Sequence, residues 1–272
     1  LLVQKTHLLI KYKPRNMPSK DFTLSVYEKL MRSLIRSGYK IFSYEDYLTS
    51  NQIKDKYVIL RHDVDKLPFN ALKMAKLEKN LNIKSTYYFR IVKGSNNPKV
   101  IKEIAALGHE IGYHYEDLTL AKGNYKIAIK LFEENLSYFR KFYDVKTVVY
   151  HGSPLTKWNN KDIWKKYNYK DFNVIAEPFF DIDFSKTLYL TDTGRSWNGR
   201  KYSVRDRVNL NSENKSYNST FQIINAINNN SLSGSIHINV HSQRWHTNPI
   251  YWIWELFFQN IKNIIKRYFF VK

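Results

Sequence analysis

Residues 57–65 read Tyr-Val-Ile-Leu-Arg-His-Asp-Val-Asp, an apolar run that passes directly into two carboxylates. Val58, Ile59 and Leu60 form an apolar, largely β-branched core for this run, so 57–62 is expected to be a short buried strand. In extended chain, residues two apart point the same way, which sets Asp63 and Asp65 side by side. Two like charges held together are unfavourable unless a cation lies between them or one is protonated, so the pattern points to a metal site. Aspartates are also common in solvated turns after strands, and these nine residues alone leave both readings open.

Two further stretches carry the same signature. Residues 108–116 read Gly-His-Glu-Ile-Gly-Tyr-His-Tyr-Glu. Alternation puts Ile111 and Tyr113 on one face and Glu110, Gly112, His114 and Glu116 on the other, with His114 at the strand end as a candidate imidazole ligand. Gly112 allows a close approach by a neighbour. Residues 236–245 read Ile-His-Ile-Asn-Val-His-Ser-Gln-Arg-Trp. His237, Asn239 and His241 share one face, which suits the inside of a barrel better than an outer face covered by helices, and one of the two histidines is a candidate general acid.

Between these stretches the chain alternates. Helical spacing covers 20–37, ending at Gly38, then 68–82, 98–107 ending at Gly108, 125–142 and 221–227. Strand-like runs cover 57–62, 85–90, 110–114, 147–150, 174–176, 187–190 and 235–240, and 209–219 is a polar Asn/Ser stretch expected to form an exposed loop. Strands separated by helices favour a parallel sheet, and seven such units can close into a barrel whose chemistry lies on the loops after the strands. His62, His114, His151 and His241 all fall at or just past expected strand ends. At 272 residues the chain is expected to be one domain, since α/β barrels of this length are common.

Composition narrows the chemistry. With 43% hydrophobic residues and 16% aromatics there is material for a large core, and with no cysteine any transition metal must bind through His, Asp or Glu. A formal charge of +20 calls for an anionic partner, such as a phosphate-bearing substrate or an acidic lipid surface. The lysines are scattered and no nucleic-acid motif can be read, so no nucleic acid is expected. Residues 1–20 lack a signal-peptide pattern and no long apolar run exists, so the expectation is a cytoplasmic protein, with peripheral contact at the inner membrane face as an option. The terminal segment 248–272 mixes Trp252, Trp254, Leu256, Phe257 and Phe258 with Lys262, Lys266 and Arg267. Such a helix either lies in a lipid interface or packs its aromatics over the barrel wall, and the sequence favours the second slightly.

The order of the motifs, an Asp-containing strand end, then Gly-His-Glu-Ile-Gly-x-His, then a late strand ending in His, resembles the polysaccharide deacetylase superfamily (NodB homology, carbohydrate esterase family 4) across residues 57–245. The resemblance implies an incomplete (β/α)7 barrel, a divalent metal ion, usually zinc, and hydrolysis of N-acetyl groups on amino sugars, here in assembly of a cell-surface glycan. It implies Asp63 as catalytic base, Asp65 and His114 as metal ligands, and His241 as the acid that protonates the leaving amine. Asp192 to Trp197 resembles the family's Asp/Trp segment near the acetyl pocket, so Asp192 and Trp197, with Arg90, are candidate substrate contacts. A saccharide, phosphate-bearing or lipid-linked, is the implied partner.

Two departures stand out. The family's second metal histidine lies four residues after the first, and Leu118 occupies that position here. Glu116, Asp117 or His151 must replace it. We expect His151, because it follows the next strand and supplies the nitrogen that zinc favours. The family's arginine that steadies the base is also missing after the fourth strand, where Arg61 or Arg90 can substitute. Should the metal site have been lost, the alternatives are a saccharide-binding barrel without catalysis or a peripheral membrane protein that uses the barrel as a scaffold.

Overall fold

In the computed structural model, which describes residues 20–51, 56–154, 156–197, 217–232 and 234–269, seven strands pair in parallel. These are β1 (Lys40–Phe42), β2 (Tyr57–Val64), β3 (Thr86–Phe89), β4 (Glu110–Tyr115), β5 (Val148–Tyr150), β6 (Thr187–Thr191) and β7 (Ser235–Val240). Their order is β5-β4-β3-β2-β7-β6, with β1 pairing beside the start of β2. Several of the helices start where the sequence offers a side-chain cap. Thr23, Asn97, Asn124 and Ser219 each accept a backbone N–H in the first turn of Leu24–Arg36, Pro98–Ala106, Tyr125–Arg140 and Thr220–Asn228. Gly38 and Gly108 follow two helix ends at φ +79° and +93°, a conformation that costs glycine little.

The register sorts the strands into two faces. Val58, Leu60, Val64, Tyr87, Ile111, Tyr113, Val148, Ile236 and Val240 point outward, where they are buried under helices. Ile59, Arg61 and Asp63 alternate with them and point inward, and pairing continues that face through His237 and Asn239 on one side and Thr86, Tyr88, Glu110 and Gly112 on the other. The inner face curls on itself: Ile59 clusters with Tyr44, which follows β1, and with Ala176 and Ile182, from the segment between the edge strands β5 and β6. Arg61 lies under the ring of Phe179, and Phe184 stacks on His237. The chain is thus an incomplete (β/α) barrel with a filled interior, open between β5 and β6.

Gly112 is fixed by this interior. A Cβ there would lie 2.2 Å from the Tyr88 ring and 3.1 Å from the Thr147 carbonyl oxygen. The ring cannot swing away freely, because its hydroxyl bonds Thr147 at 2.9 Å and its face covers the Arg61 guanidinium. The close neighbour of Gly112 is therefore chiefly a side chain. Gly112→Ala is expected to lower stability by about 1–3 kcal/mol, the usual cost of overpacking, read as a fall in the thermal midpoint.

Several expectations change. Strand β2 runs two residues past His62, so His62 is inside the strand and faces outward, away from the rim. Its Nε2 lies 2.7 Å from the Glu78 carboxylate, which also accepts bonds from Tyr27, Ser85 and Tyr87 in a wholly buried cluster. Burial would push Glu78 up, but His62 and His109 beside it bring it down to about 2. Strand β1 has no counterpart in the pattern reading, and the strand expected at 174–176 shrinks to a single bridge between Thr147 and Ala176. The loop expected at 209–219 falls mostly, and the N-terminal segment 1–19 wholly, outside the described residues. No helix among the described residues is long and apolar enough to cross a membrane.

Candidate active site

The inward face of three strands delivers one cluster at the open rim. Asp65 follows β2, His114 is the penultimate residue of β4, and His151 follows β5. One ligand atom from each lies within 4.8 Å of the others. Asp65 Oδ1 is 3.6 Å from Nε2 of both imidazoles, is buried, and has no hydrogen-bond partner. Two ligands held about 2.1 Å from one tetrahedral centre lie roughly 3.4 Å apart, so the spacing and the orphaned carboxylate oxygen fit a divalent ion.

The other ring nitrogens are anchored. His114 Nδ1 meets the Val149 carbonyl at 3.0 Å, which assigns the proton to Nδ1 and the lone pair to Nε2. His151 Nδ1 meets Ser153 Oγ at 2.9 Å and Glu116 Oε2 at 3.2 Å, with the same consequence. Glu116 is held by a forked pair from Arg90 at 2.9 and 2.7 Å. Burial works against its charge, but His151 and Arg90 bring its carboxyl down to about 2. Asp65 Oδ2 accepts from Gln243 Nε2 at 2.9 Å. Burial would raise the Asp65 carboxyl, but His114, His151 and His241 around it hold it well below the usual carboxylate range.

Asp63 stands beside this set, with Oδ2 3.8 Å from His114 Nε2. Arg61 clamps it with two parallel bonds at 2.7 and 2.6 Å, and Asn239 donates to Oδ2 at 3.0 Å. Arg61 and Asp63 are two residues apart on one strand, and the register places Asn239 opposite Arg61. Burial pushes Asp63 up, but Arg61 and His114 outweigh it, so the carboxylate stays ionised well below its ordinary range.

His241 closes the opposite side. Its Nε2 is 4.0 Å from Asp65 Oδ2, and its Nδ1 is 2.6 Å from Asp192 Oδ1. Asp192 is fully buried and also accepts from Arg244 Nη1 at 2.5 Å and Trp245 Nε1 at 2.9 Å. Burial would raise Asp192, but Arg244 and His241 hold it ionised. A buried carboxylate on Nδ1 fixes the ring so that Nε2 faces the cluster, an arrangement suited to moving a proton at Nε2.

The three residues named as substrate contacts lie elsewhere in the architecture. Arg90 is committed to Glu116, behind His151. Asp192 is sealed beneath His241, where it orients the imidazole and presents no surface to a substrate. Trp197 is buried in the outer core, stacked on Phe22 and bonded through Nε1 to Thr220 at 2.9 Å. Among the alternative ligands, Glu116 supports His151 from behind. Asp117 turns to Tyr113 and Asn135, where burial pushes it up to about 7. Leu118 is a core residue. Of the two arginines considered for a place beside Asp63, Arg61 contacts it and Arg90 does not. Gln243 and Arg244 carry no motif signal, because they reach the site from a turn after β7.

No family model matches the chain, and no curated protein matches it. Among solved structures it is similar to Bacillus subtilis PdaA, a family 4 carbohydrate esterase, at 14% identity and a TM-score of 0.40, over 84% of this chain and 83% of that one.

Proposed function

We propose that the chain is a metal-dependent hydrolase that removes an N-acyl group, acetyl in the first instance, from an amino sugar. The observation that carries this reading is the convergence of Asp65 Oδ1, His114 Nε2 and His151 Nε2, with Asp63 to one side and His241 to the other. Zinc suits one carboxylate and two imidazoles. A divalent ion held there supplies Lewis acidity, polarising the amide carbonyl and easing deprotonation of water. Asp63, ionised throughout the working pH range, accepts the proton of the attacking water, and Arg61 and Asn239 keep its carboxylate aimed. His241 delivers a proton from Nε2 to the leaving nitrogen as the C–N bond breaks. Asp192 keeps that ring in register.

The amino-sugar assignment rests on the motif order in 57–245, and the +20 charge favours a substrate bearing phosphate, such as a nucleotide-linked or lipid-linked sugar. The test is metal analysis of the purified chain followed by acetate release from N-acetyl amino sugars in free, nucleotide-linked and lipid-linked form. We expect about one zinc per chain and acetate release that a chelator stops and zinc restores. A chain that binds saccharide, takes up no metal and releases no acetate would instead be a binding barrel.

A further inference from the structure

The C-terminal helix Pro249–Phe269 is built inside out for a helix that packs only on its own domain. Its polar residues face the protein. Glu255 pairs with Arg195 at 2.9 Å, Asn263 donates to the Gly194 carbonyl at 2.8 Å, and Gln259 donates to Asn263. Gln259 and Asn263 are only 7% and 8% exposed. The spacing of Glu255, Gln259 and Asn263, four residues apart, defines one stripe of the helix.

Trp252 turns inward and donates through Nε1 to the Asp21 carbonyl at 2.6 Å, but most of the other apolar residues face away. Trp254, Phe257 and Phe258 are 55%, 58% and 50% exposed, and Ile261, Ile264 and Ile265 continue the same surface down the helix. Scattered exposed apolar residues are ordinary, but a continuous aromatic and isoleucine face on one helix is a surface that water alone covers poorly. The surroundings are cationic. Lys20 lies over the Trp252 ring, Lys262 is exposed on the helix, and Lys66, next to Asp65 in the chain, is within electrostatic reach of Lys262. The helix sequence carries Lys262, Lys266 and Arg267 against Glu255 alone, and Arg195 already neutralises that acid.

We propose that this helix lies in the interface of an anionic phospholipid bilayer, with Trp254, Phe257 and Phe258 in the headgroup–acyl boundary and the lysines against lipid phosphates. Charge complementarity decides the occupant. A protein partner needs only the apolar face, whereas a lipid surface also uses the cations around it and the net +20. The helix is too polar to span, which leaves it lying in the membrane plane.

The test is flotation of the full chain with vesicles of pure phosphatidylcholine and of phosphatidylcholine with phosphatidylglycerol, at low and high salt. We expect binding to the anionic vesicles, weakened by salt, and a blue shift of tryptophan emission on binding. Trp254→Glu combined with Phe258→Glu should lower partitioning by about tenfold or more with an unchanged circular dichroism spectrum. Lys262→Glu, which leaves the apolar face intact, should weaken binding to the anionic vesicles alone. Absence of vesicle binding by the parent chain overturns the proposal. So does a concentration-dependent dimer, seen by analytical ultracentrifugation, that the double substitution abolishes while vesicle binding persists, since the face would then cover a second copy. None of these readouts depends on metal or on turnover.

Discussion

Asp63→Asn is expected to lower turnover by about 10²-fold or more while metal content stays near that of the parent, because under the proposed mechanism the substitution removes the general base and keeps its shape. Asparagine can still accept one bond from Arg61, so the strand end holds its course. It cannot take a proton from water. Asp63 lies outside the three-residue candidate ligand set, and its nearest oxygen is 3.8 Å from His114 Nε2, so the proposed ligands are untouched. Asp65→Asn makes the opposite change. It converts the oxygen that lies between the two imidazoles into a weak neutral donor, and metal should be lost along with turnover. Metal content by mass spectrometry, measured beside acetate release, separates the two variants. Equal loss of metal in both would make Asp63 a ligand and leave the base unassigned.

Much of this site was legible because strand parity is a strict rule. Once 57–65, 108–116 and 236–245 are read as strands, alternation alone sends Asp63, Asp65, His114 and His241 to one face and buries Val58, Leu60 and Val240 on the other. Arg61 could have been assigned to Asp63 by the same rule, since they are two residues apart. What parity cannot give is depth. Asp192 and Trp197 sit in a segment that looks like a substrate wall, yet one carboxylate is sealed under His241 and the indole is sealed under Phe22. Both are decided by contacts with residues far along the chain. The short strand Lys40–Phe42 escaped because three residues carry no period. The terminal helix misled for another reason: its apolar stripe is clear in the sequence, but a stripe does not say which side the protein is on. Trp252 keeps the expected packing against the domain, whereas Trp254, Phe257 and Phe258 turn outward.

His151→Ala is expected to weaken metal binding by more than the roughly 10–100-fold that loss of a supporting residue costs, whereas Glu116→Gln should stay within that range. The two side chains compete for the position that Leu118 leaves empty, and geometry separates them. His151 Nε2 faces the Asp65 oxygen at 3.6 Å, while Glu116 reaches only the far nitrogen of the same ring, at 3.2 Å, and is itself clamped by Arg90. Removing Glu116 would loosen the orientation of His151 and expose Arg90 to an unpaired state, but it would leave three ligand atoms in reach of one another. Removing His151 leaves Asp65 and His114 alone, one short of the three protein ligands that catalytic zinc sites normally use. Competition with a chelator of known affinity gives both constants. If the glutamine variant loses metal and the alanine variant holds it, the carboxylate is the third ligand and the ring is its support. If neither affinity moves, the ion is not held at this cluster, and the hydrolytic reading of Asp63 and His241 loses its electrophile.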